Sequence, residues 1–177
     1  MMTLAQPLAA LNTLRYQRGT WVDPHGDSMA HPEWTRDDCL ITTDPARVDL
    51  DAVHGYLSTS HWAQGISRDL VQRSIDHAIP FMMFAGGKPA GFARVVSDRA
   101  TVAYVGDVFV LPGFRGRKLS IWMMECIAAH PELQGMRRWI LITRDAHGLY
   151  SKSGYSPLAM PERWMERWDP EVYTRRD

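Results

Sequence analysis

Residues 101–110 (Thr-Val-Ala-Tyr-Val-Gly-Asp-Val-Phe-Val) form a long β-rich run that Pro112 and Gly113 stop abruptly. The chain then turns through a short basic loop. From there Leu119, Trp122, Met123, Cys126, Ile127 and His130 recur at helical spacing until Pro131. A strand that passes through a tight loop into an apolar helix demands a layered α/β architecture. It also builds an anion site. The first amides of a helix have no carbonyl partner and carry partial positive charge, which suits a phosphate or pyrophosphate. Arg115, Arg117 and Lys118 add cationic charge at that place. No Gly-Lys-Ser/Thr follows a glycine at P-loop spacing, and the dinucleotide fingerprint is absent, so this phosphate-binding turn is of another kind.

The flanking patterns fill in the layers. A short strand is expected at 40–42, followed by a helix to about residue 57 that Asp44-Pro45 leads into. Gly65 breaks the chain. Ser67 caps a second helix, whose buried face is Leu70, Val71, Ser74, Ile75 and Ala78, and Pro80 ends it. Strands follow at 81–85, 91–96 and 101–110, joined by turns at 86–89 and 97–99. After the 119–130 helix come a strand at 139–143 and a short helix at 146–153 closed by Gly154. A strict period of two puts Tyr104 and Asp107 on opposite faces of their strand. Residues 1–37, with Pro7, Gly19, Pro24, Gly26 and Pro32 around Trp21 and Trp34, read as an irregular N-terminal arm with a short helix at 4–14. The domain proper is expected over 38–177. The arm would pack on its own domain or on a partner subunit, which leaves a homodimer open.

Composition narrows the function. The chain has 177 residues, enough for one domain with a sizeable core, and 20 basic residues against 20 acidic ones. That balance provides no general field for nucleic acid or an anionic membrane. Arg137-Arg138 stands alone and reads as a solvated turn. No apolar run reaches the length of a membrane span, and the first residues lack a secretory pattern, so a cytoplasmic protein is expected. Cys39 and Cys126 fit neither a disulfide framework nor a metal spacing, and His54, His61 and His130 are not spaced as metal ligands. Cys126 falls on the inward face of its helix, a poor place for a nucleophile.

Two blocks resemble one family. The stretch 110–120 resembles the acetyl-CoA signature Q/R-x-x-G-x-G/A of the GNAT (Gcn5-related N-acetyltransferase) superfamily. Arg115 fills its first position, Lys118 stands at the glycine and Ser120 at the second small residue. The stretch 143–155 resembles the family's N-x-x-A-x-x-L-Y-x-x-x-G-F, with Ala146, Leu149, Tyr150 and Gly154 in register, Tyr155 for Phe and Thr143 for Asn. The resemblance implies a mixed, mostly antiparallel central sheet flanked by helices and splayed between the fourth and fifth expected strands. It implies acetyl-CoA as acyl donor. Val108, Phe109 and Val110 would pair with the pantetheine arm, and Arg115, Gly116, Arg117, Lys118, Leu119 and Ser120 would hold the pyrophosphate. Thr143 and Tyr150 would line the cofactor arm.

The resemblance also implies roles. Tyr150 would lie near the CoA sulfur and protonate the departing thiolate, a task for a phenol that stays protonated at neutral pH. Asp107 would orient water or substrate, or else bind a backbone N–H. The loop at 58–65 would border the acceptor, with Tyr56, Trp62 and Tyr104 as its wall and His61 assisting proton transfer. The expected reaction is acetyl transfer to a primary amine of a small molecule by direct attack in a ternary complex. Two rivals stay open: a GNAT acyltransferase acting on a protein amine, and a non-catalytic CoA-binding or regulatory module.

Overall fold

The computed structural model describes residues 15–17, 20–22 and 31–175. The short helix expected at 4–14 lies outside the described residues. The chain divides into two compact units, Met1–His31 and Pro32–Asp177. In the first, β1 (Arg15–Gln17) and β2 (Thr20–Val22) form an antiparallel ladder in which Tyr16 opposes Trp21.

The second unit is built on a six-stranded sheet whose strands lie in chain order. They are β3 (Glu33–Arg36), β4 (Cys39–Thr42), β5 (Ile79–Ala85), β6 (Lys88–Ser97), β7 (Val102–Val110) and β8 (Arg138–Ile140). All neighbours are antiparallel except β7 and β8, which are parallel. Strand β3 comes from the stretch expected as an arm. It pairs with β4 through Trp34 opposite Ile41, so the sheet begins before residue 38.

Local chemistry fixes the connections. Gly86 and Gly87 both have positive φ, as a two-residue hairpin turn requires, and carry β5 into β6. Asp98 accepts the amides of Ala100, Thr101 and Val102 and so clasps the β6–β7 turn. Helix α1 (Leu50–Leu57) is capped by the Asp49 carboxylate, and α2 (Arg68–Asp76) by the Ser67 hydroxyl, which accepts from the Leu70 amide. Pro80 does not end α2, which stops at Asp76. It lies inside β5, beyond the reach of β4, whose pairing with β5 stops at Met82, so its missing N–H costs no bond on that side.

Helix α3 (Leu119–Ala128) buries Leu119, Trp122, Met123, Met124, Cys126 and Ile127. It packs on one face of the sheet with Ile41, Phe81, Met83, Val95 and Val105. Helices α1 and α2 cover the other face, where Val53, Leu57, Val71 and Ile75 meet Met82, Phe92 and Phe109. Each large apolar side chain buried this way contributes roughly 1.5–3 kcal/mol. Helix α4 (His147–Tyr150) continues as a 3₁₀ turn to Ser153, and Gly154 closes it in left-handed conformation. Among the described residues no helix is long and apolar enough to cross a membrane.

Two departures shape the site. The strand expected at 139–143 is shorter: β8 pairs only Arg138, Trp139 and Ile140 with Val102, Ala103 and Tyr104. From Val105 onward the facing edge of β7 has no strand partner among the described residues, which is the splay expected between the fourth and fifth strands of the sequence reading. The second departure is a bulge. Arg94 opposes Gly106 while Phe92 opposes Phe109, so β7 carries one extra residue between them. Asp107 sits there in left-handed backbone, at φ 54°. The extra residue inverts the alternation: Ala103 and Val105 face α3, yet Phe109 joins the α1–α2 core and Val108 and Val110 pack on the α3 side.

Candidate active site

The inverted alternation overturns the expected opposition of Tyr104 and Asp107. Arg94 lies across from Gly106 and donates its Nε–H to Asp107 Oδ2. Trp62, from the loop between α1 and α2, donates its indole N–H to Asp107 Oδ1 at 3.2 Å. The Tyr104 ring lies over Gly106 on the same face, where an added Cβ would stand 3.1 Å from Tyr104 Cε1. Gly106 is therefore what leaves room for Tyr104. Burial raises the Tyr104 phenol above its usual value, with the Asp107 charge next in importance.

Asp107 is thus held on both oxygens. Its side chain is 12% exposed and that of Arg94 is 22% exposed, so the ion pair is mostly shielded from water. Arg94 is a site residue that sequence reading passed over. The available signal was a cation inside the apolar run 91–96, together with a Gly-Asp step inside a strand.

Around this pair the expected acceptor wall assembles in part. Trp62 is exposed and contacts His61 edge-on, with ring centroids 4.9 Å apart. Tyr56 leans the other way. Its ring stacks on Phe109 at 4.0 Å, and its hydroxyl accepts a bond from Arg115 Nη2 at 3.2 Å. Tyr56 therefore joins α1 to the basic loop as well as bordering Trp62.

The loop that follows β7 is partly committed. Arg115 Nε donates to the Val110 carbonyl at 3.0 Å. The Arg117 guanidinium pairs with Asp38 in the β3–β4 turn. Among the described residues Lys118 is the one of these three cations without an ion-pair or hydrogen-bond partner. It takes the N-cap position of α3 in left-handed backbone, φ 58°. Gly116 is left-handed too, with open space around its Cα. The amides of Leu119, Ser120 and Ile121 begin α3 and have no intrahelical carbonyl.

On the α3 side of the splay, Tyr150 is 8% exposed. Its ring meets Tyr155 edge-on, and its hydroxyl makes no hydrogen bond among the described residues. Burial raises its pKa above the usual phenol value, and the nearby Tyr104 contributes next. Thr143 accepts the Ala146 amide at 3.0 Å and so starts the turn into α4. His147 is the first residue of α4.

Comparison with known proteins decides the family. The family model for an acetyltransferase (GNAT) domain matches residues 76–157. A solved structure of a candidate GNAT-family acetyltransferase from Xanthomonas campestris pv. campestris is 46% identical, with TM-score 0.77, over 80% of this chain and 100% of that one. The chain belongs to the GNAT superfamily. A candidate acetyltransferase of Gibberella zeae is 29% identical over 143 residues, 68% of this chain and 80% of the relative. A Clostridium acetobutylicum structure described as an acetyltransferase with acetyl-CoA shares the fold, with TM-score 0.52 and 12% identity over 70% of this chain and 91% of that one. This GNAT protein is accordingly an acetyltransferase with the family's mostly antiparallel sheet and its splayed strand pair.

Proposed function

We propose that this protein transfers an acetyl group from acetyl-CoA to a primary amine of a small molecule, by direct attack while both are bound. The observation that carries the reading is the parting of β7 from β8 after Tyr104 and Ile140, on the strand that leads directly into the N-terminus of α3. An amide-bearing arm fits an unpaired strand edge, and a pyrophosphate fits the unpartnered amides of α3. The open space at Gly116 and the unengaged ammonium of Lys118 support that fit. Val108, Phe109 and Val110 would border the arm; Gly116, Lys118, Leu119 and Ser120 would hold the phosphates. Arg115 and Arg117 act first on the protein itself, bracing Val110, Tyr56 and Asp38.

Acetyl-CoA supplies the activated acetyl thioester. The chain supplies a proton donor in Tyr150, whose buried and unbonded hydroxyl stays protonated at neutral pH. Asp107 serves as an anchor. It pairs with Arg94, fixes the bulge and holds Trp62 beside the acceptor, and the amine proton leaves to water. Two buried, unpaired cysteines support a reducing compartment such as the cytoplasm. A homodimer remains compatible with this reading.

Thiol release measured across a panel of amines tests the proposal. Amine-dependent release with a new amide product supports it. Acetyl-CoA binding without release on any amine would favour a non-catalytic module, and preferential modification of lysyl peptides would favour a protein acceptor.

A further inference from the structure

Between Leu111 and Leu119 the chain passes through the turn that joins β7 to α3, and within it only Phe114 is even half-buried. Its backbone bonds are local, from the Phe114 N–H to the Leu111 carbonyl and from the Arg115 N–H to the Pro112 carbonyl. They shape the turn without attaching it to the rest of the domain. Two guanidiniums attach it. Arg117 ties it to Asp38 in the β3–β4 turn, and Arg115 ties it to Val110 at the end of β7 and to Tyr56 on α1. The Leu111 N–H bonds the Ala90 carbonyl of β6 at 2.8 Å. The Val110 carbonyl belongs to the same peptide, and in a trans peptide it points the opposite way. It is therefore the last carbonyl on the edge of β7 that faces away from β6, and Arg115 Nε closes it at 3.0 Å. The guanidinium marks the point where the free strand edge ends and the turn into α3 begins.

We infer that Tyr56 is a positioning residue for acetyl-CoA, acting through Arg115 on the turn that receives the pyrophosphate rather than on the acceptor. The inference rests on the acetyl-CoA reading above. The Tyr56 hydroxyl accepts Arg115 Nη2 at 3.2 Å, so the guanidinium is held at two points, by Val110 and by Tyr56. The Tyr56 ring is itself fixed. It stacks on Phe109 with centroids 4.0 Å apart and planes 15° apart, and Phe109 is buried in the α1–α2 core. Its approach to Trp62 is looser, at 6.1 Å and tilted. Support thus runs from that core through Tyr56 and Arg115 to the turn. Holding the turn in its binding shape before the ligand arrives lowers the ordering cost of binding.

The test is a double-mutant cycle on the full chain, read as the acetyl-CoA dissociation constant by calorimetry. Tyr56→Phe keeps the ring on Phe109 and removes only the hydroxyl, so its urea midpoint should stay near wild type. Its acetyl-CoA Kd should rise about threefold to tenfold, the effect of losing one hydrogen bond. On an amine that wild type uses, KM for acetyl-CoA should rise alike, kcat should stay within about twofold, and KM for the amine should not move. Arg115→Met should weaken acetyl-CoA binding by itself, and adding Tyr56→Phe to it should change nothing further. An acetyl-CoA Kd unchanged in Tyr56→Phe, a rise in amine KM in its place, or effects that simply add in the double variant each overturn the inference while leaving acetyl transfer intact. Wild type that binds no acetyl-CoA overturns the cofactor reading, and this inference falls with it.

Discussion

Asp107 receives the Nε–H of Arg94 while its own backbone is left-handed, so one ion pair holds one bulge in the strand that carries the site. The pair is partly buried, and a charge left without its partner in such surroundings costs more than the bond itself. The same carboxylate holds Trp62. Asp107→Asn keeps the shape and a residue that tolerates positive φ but leaves Arg94 uncompensated. It should destabilise the protein by about 1–3 kcal/mol in urea unfolding. Asp107→Ala should cost more, since it also loses the Trp62 contact. Equal stability of all three proteins would show that the bulge needs no anchor.

Gly91 tests the close approach of β6 to β7. A Cβ there would lie 2.6 Å from the Phe109 carbonyl oxygen and 3.3 Å from Val110 Cα. Both neighbours are backbone and cannot rotate away. Gly91→Ala should destabilise by about 1–3 kcal/mol through overpacking, read as a lower urea midpoint at unchanged m-value. It should also weaken acetyl-CoA binding, because Phe109 and Val110 border the unpaired edge.

Much of this was legible in the sequence because the relevant signals are local. The Ser67 cap, the run of apolar residues in α3 and the left-handed Gly154 each act within a turn of chain, and each appears where the pattern puts it. The two family-like blocks singled out Arg115 and Tyr150 as candidates for the same reason. What escaped depends on pairing. Strand β3 has four residues, and its alternation of exposed and half-exposed side chains has no apolar face to announce it; only Trp34 against Ile41 reveals it. Strand β8 ends early because β7 turns away from it, which no propensity at 141–143 encodes. The bulge at Asp107 moved a side chain to the other face, a change that depends on how β6 and β7 pair.

Lys118 occupies a left-handed position where a side chain carries a backbone cost of roughly 1–2 kcal/mol. Lys118→Gly should therefore raise the melting temperature. It should also weaken acetyl-CoA binding by about threefold to tenfold in low salt, since the unengaged ammonium is lost, with the difference shrinking as salt rises. Tighter binding of acetyl-CoA by Lys118→Gly would mean that the lysine obstructs the phosphates.

The pH dependence of turnover follows from the direction of the Tyr150 shift. Its phenol lies above the usual value of about 10 because it is buried. The donor form therefore persists through neutral and mildly alkaline pH. The rate should rise as the acceptor amine loses its proton and should show no falling limb below the ordinary phenol range. A falling limb between about pH 7 and 8.5 would point to a different acid, since an unperturbed or raised phenol cannot titrate there.

Single-turnover acetyl transfer by Tyr150→Phe, on an amine that wild type uses, tests the central claim most directly. The ring fills the same space and only the hydroxyl is removed, so acetyl-CoA affinity should stay nearly unchanged. The chemical step should slow by on the order of a hundredfold, the usual contribution of a positioned general acid. A Tyr150→Phe enzyme that transfers acetyl at the wild-type single-turnover rate would contradict the account and leave Tyr150 as a packing residue.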